Sequence, residues 1–348
     1  MRELRALRER FSREPQNLDV AAMLAWSDFE QAYAEGEPRY IGYAQAALAP
    51  WWSLSEPPVR VLVLRATLRQ YLHDFDGALA DLKVALRRDP EYTQAWSISA
   101  TIKIVQANYD AARRDCVQMT PLVSELAATA CTAFIDGLTG RARAAHDALE
   151  AALARAREPS AELKLWVLTR LAEMAWRVGN EAQAEAHFKQ ALALGLTDAF
   201  LLAAYADFLL DRKRAAEVVA LLKDKTRVDP LLLRLVLAEK QLNARQMREH
   251  QATLADRFAA ARMRGDKTHE QEEARFELTV LGRADQALEL AQSNWKAQRE
   301  PRDARILLEA ALAAKAPAAA QPVLEWLERN RTEDPVLQQL AAQLKGRS

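Results

Sequence analysis

Ten glycines and thirteen prolines in 348 residues leave too little turn material for a many-stranded β protein. Aromatic residues make up only 7% of the chain, while alanine and leucine recur throughout, a composition that favours helices. No window of about 18 uninterrupted apolar residues occurs, so no helix is expected to span a bilayer. Neither charge predominates. The 48 Lys and Arg are matched by 48 Asp and Glu, which removes the basic footprint that phosphate contacts require and argues against a general nucleic-acid binder. There are only two cysteines, Cys116 and Cys131, and their spacing is not Cys-x-x-Cys, which sets a catalytic dithiol aside. Catalytic signatures are missing too: there is no Gly-rich phosphate loop, no nucleophile elbow and no paired-histidine zinc spacing. Half of the residues are apolar, so a large core is available, distributed over two ordinary domains or one elongated array.

A repeat is present. Small residues recur in bulky helical stretches at Ala78, Ala112, Ala145, Ala184, Val218, Ala252, Ala287 and Ala320, at gaps of 34, 33, 39, 34, 34, 35 and 33. Twelve residues before each lie Ala66, Ala100, Ala133, Ala172, Ala206, Lys240, Arg275 and Leu308. Two small residues at this spacing mark the closest approach of two antiparallel helices, where a larger side chain would push the axes apart. Four residues beyond come Leu82, Cys116, Leu149, Phe188 and Leu222, on the same helix face. Gly140, Gly179 and Gly282 fall five before their small residue, where a left-handed residue ends the first helix. Asp89-Pro90 and Asp229-Pro230 fall twelve beyond, where proline is expected to stop the second helix. The 39-residue gap calls for about five extra residues around Glu158 to Glu162.

With these positions in register, the chain resembles the tetratricopeptide repeat family, whose unit is a helix-turn-helix of 34 residues. The resemblance is carried best by FDGALADLKVALRRDP (Phe75 to Pro90) and LAEMAWRVGNEAQAEAHFKQALAL (Leu171 to Leu194), with Trp96 at the family's early tryptophan position. It implies an all-α fold, a right-handed α-α superhelix or solenoid of antiparallel helix pairs. About eight repeats would occupy 57–330, after an N-terminal helix and divergent first pair in 1–56 and before a capping helix in 331–348. Two further segments, PRYIGYAQAALAPWW (Pro38 to Trp52) and HEQEEARFEL (His269 to Leu278) with its downstream NWKAQREPRDARILLEAALAA, resemble a narrower bacterial group whose members often carry an export leader. That resemblance implies a periplasmic or exported protein if a leader has been removed from before Met1. The alternative is a cytoplasmic one.

The family's first helices line a concave groove. Carried over to this sequence, the groove positions are Trp166, Thr169, Glu173, Trp176 and Arg177 in one repeat and Phe200, Asp207 and Asp211 in the next, with Ala203 and Leu210 between them. Aromatics beside Arg, Glu and Asp form the mixture found at interface anchors; the competing reading buries both tryptophans against a neighbouring repeat. The lysine and asparagine set of a carboxylate clamp is not matched. The implied function is a non-enzymatic scaffold holding a protein or peptide segment in the groove. Its alternative is an accessory or regulatory subunit of an enzyme or transport complex, acting through its convex face or ends. A small-molecule or metal-binding superhelix is a third. No cofactor or metal is expected. His269 has Glu272 and Glu273 within one helical turn, but an acidic first turn accounts for them, and His187 beside Phe188 reads as structural. Cys116 and Cys131, on adjacent antiparallel helices with Pro121 between them, are open to two readings, a disulfide in an exported protein or two reduced, buried apolar groups in the cytosol.

Overall fold

The computed structural model describes residues 2–35 and 39–346; Met1, Pro38, Arg347 and Ser348, which enter the expectations above, lie outside the described residues. The described residues contain helices and no strand, and none of the helices is long and apolar enough to cross a membrane. The chain divides into two compact units, Met1–Ile102 and Lys103–Ser348.

The first unit holds α1 (Arg2–Arg13), α2 (Leu18–Glu35), α3 (Arg39–Ala47), α4 (Ala49–Trp52), α5 (Val59–Tyr71) and α6 (Phe75–Arg88), and the division falls near the end of α7 (Thr93–Val105). Helix α6 starts where the Asp74 carboxylate accepts a hydrogen bond from the Gly77 amide at 3.0 Å. It packs on α5, with Ala66 and Ala78 fully buried. Leu4, Leu7 and Phe11 of α1 pack on a core that includes Ala25, Ile41, Leu48 and Leu68.

The second unit contains α8 (Tyr109–Met119), α9 (Glu125–Asp136), α10 (Ala142–Arg155), α11 (Ala161–Arg177), α12 (Glu181–Leu192), α13 (Ala199–Asp211) and α14 (Ala215–Leu222). It continues through α15 (Asp229–Leu242), α16 (Met247–Met263), α17 (Glu270–Phe276), α18 (Ala284–Ala297), α19 (Pro301–Ala313), α20 (Gln321–Asn330) and α21 (Pro335–Lys345). Consecutive helices pack as pairs: α9 on α10, α11 on α12, α13 on α14, α15 on α16 and α17 on α18. Ala133, Ala145, Ala172, Ala184, Ala206, Val218, Ala287 and Ala320 are all buried, as are Cys116, Leu149, Phe188 and Leu222 four residues further on. The left-handed turn residue recurs five before the small residue at His73, Ala107, Gly140, Gly179, Lys213, Gly282 and Lys315. Glycine is imposed most strictly at Gly140, where φ is +76° and a Cβ would lie 2.9 Å from that of Arg331.

The ladder departs from its sequence register in two pairs. Lys240 and Ala252 are exposed. Three residues, Ala244 to Gln246, separate left-handed Asn243 from α16, where the α5–α6 turn has only Asp74, and the longer turn buries Ala238, Leu254 and Phe258 instead. In the next pair a π-helical turn, Glu277–Leu281, inserts one residue before Gly282, so Ala274 takes the buried place expected for Arg275. Lys240 is used elsewhere: its Nζ donates to the carbonyls of Thr279 and Val280 in that turn at 2.6 and 3.0 Å. Pro230 opens α15, whereas α14 already ends at Leu222.

The second unit also closes on its own start. The Arg299 amide donates to the Val105 carbonyl at 2.8 Å, the Ala142 amide to the Glu333 carboxylate at 2.6 Å, and the Thr332 hydroxyl to the Leu138 carbonyl at 3.5 Å. Cys116 and Cys131 are joined across α8 and α9 with Cα atoms 5.7 Å apart.

The tightness of the α11–α12 crossing gives a direct test. Ala172→Leu and Ala184→Leu each add buried volume where no space exists and should lower stability by about 1–3 kcal/mol. Denaturant midpoints equal to that of the parent protein would show that these two positions are not the crossing.

Candidate functional site

Four helices that border the interior of the second unit have defined starts. The Ser160 hydroxyl accepts from the Leu163 amide at 3.2 Å and fixes the entry to α11, and Asp198 accepts from the Leu201 amide at 2.7 Å at the entry to α13. Glu300 and Asp303 form a reciprocal capping box around Pro301 at the head of α19. Asp334 caps α21 by accepting from the amides of Val336 and Leu337 at 3.0 and 3.1 Å.

Between these elements lies a cavity of about 310 Å³. Helix α11 supplies Glu173, Trp176 and Arg177 to its wall, and α13 supplies Phe200, Ala203 and Asp207. The facing wall comes from Arg302, Arg305 and Ile306 of α19 and Val336 and Leu337 of α21. Among the groove positions expected from the sequence, Glu173, Trp176, Arg177, Phe200 and Asp207 are thus brought together around one space. Trp166, Thr169, Leu210 and Asp211 are not part of its lining. Trp166 packs edge-on to the Phe134 ring at 6.1 Å, the Thr169 hydroxyl donates to the Leu165 carbonyl at 2.9 Å, and Asp211 is held by Arg305 through two contacts of 2.8 Å.

The lining is rich in charge, and most of its carboxylates are paired with guanidinium groups. Asp207 receives Arg234 from α15 at 2.7 Å and Arg275 from α17 at 2.6 Å. Burial pushes its carboxyl up, but the two guanidinium groups outweigh burial and hold it at about 2. Arg305 also bonds Glu309 at 2.8 Å, and Arg212 bonds Glu181 at 2.8 Å. Arg170 bonds Glu173 at 2.7 Å while its guanidinium lies between the rings of Phe134 and Phe200, 4.2 and 4.5 Å from their centroids. Trp176 stands edge-on to Phe208 at 5.7 Å, so one side of the indole is anchored while the other borders the cavity. Deeper in, Asp303 is pushed well up by burial, with the neighbouring Glu300 carboxylate adding to the effect, although Arg302 opposes them.

The facing wall was invisible to spacing arguments. Arg305 lies 94 residues from Asp211, and Arg275 lies 68 from Asp207. The one local signal was Arg275 itself, a long cation at a position where the repeat asks for a small residue.

The two arginines make Asp207 a test of this architecture. Its folded value lies below its unfolded one, so the stability it confers is complete above about pH 4 and is lost as the pH falls through about 2. Asp207→Asn should leave the buried Arg234 and the half-buried Arg275 uncompensated, cost about 3–5 kcal/mol near neutrality, and flatten the acid limb of the stability profile. An unchanged acid limb in the variant, read from denaturation midpoints across pH, would remove Asp207 from this role.

No family model matches the chain, and no curated protein does. Solved structures do. A tetratricopeptide repeat protein from Parabacteroides merdae matches at 16% identity and TM-score 0.48, over 68% of this chain and 90% of that one. The human IFIT1 dimer with PPP-AAAA matches at 14% identity and TM-score 0.49, over 99% and 94% of the two chains. The APC/C hetero-tetramer Cut9-Hcn1 matches at 13% identity and TM-score 0.45, over 98% of this chain and 52% of that one. These likenesses are too distant to carry function, and the assignment rests on the chain's own small-residue ladder, left-handed turns and paired helices. On those features the protein is an all-α array of antiparallel helix pairs of the tetratricopeptide type.

Proposed function

We propose that the protein is a non-catalytic scaffold that holds a segment of another protein at the inner cavity of its second unit. The observation that supports this is the pairing of aromatic anchors, Trp176 and Phe200, with carboxylates already bound to guanidinium groups. Carboxylates and guanidinium groups held in this way present a fixed pattern of donors and acceptors, which suits recognition. At about 310 Å³ the cavity is at the small end of the range for ligand cavities. It accepts a chain end or one or two side chains and leaves no room for a whole helix. The Cys116–Cys131 bond belongs to an oxidising compartment, which agrees with an exported protein.

Two measurements test this reading. A partner is isolated by pull-down from the native organism and its affinity measured by calorimetry. Trp176→Ala or Phe200→Ala should then cost about 2 kcal/mol or more of binding energy with the fold intact. Trp166→Ala, outside the cavity, should leave affinity unchanged, and equal affinities for all three variants would refute the site. The compartment is tested by thiol titration of the unfolded, non-reduced native protein, where two free thiols would rule out the bond and with it the argument for export.

A further inference from the structure

Away from the cavity, α10 and α12 place three metal-ligand side chains around one point. His146 and Glu150 are one turn apart on α10 and therefore share a face. His187 reaches them from α12, 41 residues away in sequence. The Nε2 atoms of the two imidazoles lie 3.2 Å apart, and His187 Nε2 is 3.7 Å from Glu150 Oε1. Among the described residues this is the one group of three or more His, Cys, Asp or Glu side chains with ligand atoms close enough to hold a metal.

The separation of the two imidazole nitrogens is close to the one a tetrahedral ion imposes. With metal–nitrogen bonds of about 2.0–2.1 Å, two tetrahedral ligands stand about 3.3–3.4 Å apart, close to the observed separation. Two imidazoles meeting nitrogen to nitrogen also need an explanation. Unless a hydrogen bond or an ion joins them, two lone pairs face each other. Both rings are buried, with His146 3% and His187 5% exposed. Polar neighbours orient two of the three side chains: the Asp147 carboxylate is 3.4 Å from His146 Nδ1, and the Gln183 amide donates to Glu150 at 3.3 Å.

We propose that His146, Glu150 and His187 bind a divalent transition-metal ion of the zinc class, joining the outer helices α10 and α12 of adjacent repeats. Glu150 is 48% exposed, so the fourth coordination position opens to solvent, and water fills it. The motif is absent from any local spacing, because the two histidines belong to different repeats. The group around His269 is different: Glu273 is engaged by Arg262, and His269 stands at the N-cap of α17.

The test uses the tag-free full chain, stripped with a chelator and titrated with Zn²⁺ against a chromophoric competitor, then with Co²⁺ followed by visible absorption. One equivalent should bind per chain, and Co²⁺ should give the intense bands of a four-coordinate site. Glu150→Gln changes a half-exposed side chain and leaves the buried rings in place. It should lower affinity by more than the roughly 10–100-fold that loss of an outer-shell partner costs. His187→Gln should lower it further, with circular dichroism reporting that the helices persist. Failure of the parent chain to bind Zn²⁺, affinity unchanged in Glu150→Gln, or a six-coordinate Co²⁺ spectrum would each overturn the site. These outcomes are distinct from those at the inner cavity, whose lining includes none of His146, Glu150 and His187.

Discussion

Asp207 is where the second unit is tied together. One carboxylate on α13 meets Arg234 from α15 and Arg275 from α17, and one turn further along the same helix Asp211 meets Arg305 from α19. Taking these ions from water is expensive, and two of the three guanidinium groups are held in place by further bonds that help to offset that cost. Arg234 also bonds the Pro230 carbonyl, and Arg305 also bonds Glu309. The ladder of small residues lets neighbouring helices approach, but it acts only between neighbours. The ion network acts across the interior and determines how far the facing walls stand apart, so the size of the cavity depends on it.

How much of this was legible depended on distance along the chain. Ala172 and Ala184 could be paired by counting, because a helix crossing is a local event with a fixed spacing, and Gly140 could be read as a turn for the same reason. Register failed where the backbone itself changed: a π-helical turn moved the buried place from Arg275 to Ala274, and the longer turn after Asn243 left Ala252 exposed. Neither change has a residue signature. The near wall of the cavity, from Glu173 to Asp207, followed from assigning first helices to the concave side. The far wall did not, since nothing in α19 or α21 reveals which earlier helix they face.

The same reasoning explains how three ligand side chains went unnoticed. His146 and Glu150 are a recognisable one-turn pair, but the third member sits in the following repeat, and its neighbour Phe188 made His187 look like filler. Repeats bring equivalent helix faces into line, so chemistry that no single segment contains can be assembled from two.

The contacts that join the end of the second unit to its beginning have a kinetic and evolutionary meaning. An open array of repeats gains stability from neighbours alone, so it can fray from either end and can gain or lose a repeat at little cost. Here Arg299 reaches Val105, Glu333 reaches Ala142 and Thr332 reaches Leu138, contacts spanning about 190 residues of chain. Such closure demands a large loop entropy before it returns any energy, which slows folding and links the terminal helices to those in the middle. The ring must therefore form and melt as one cooperative body, and a duplication or deletion of any single pair inside it would leave the two ends unable to meet.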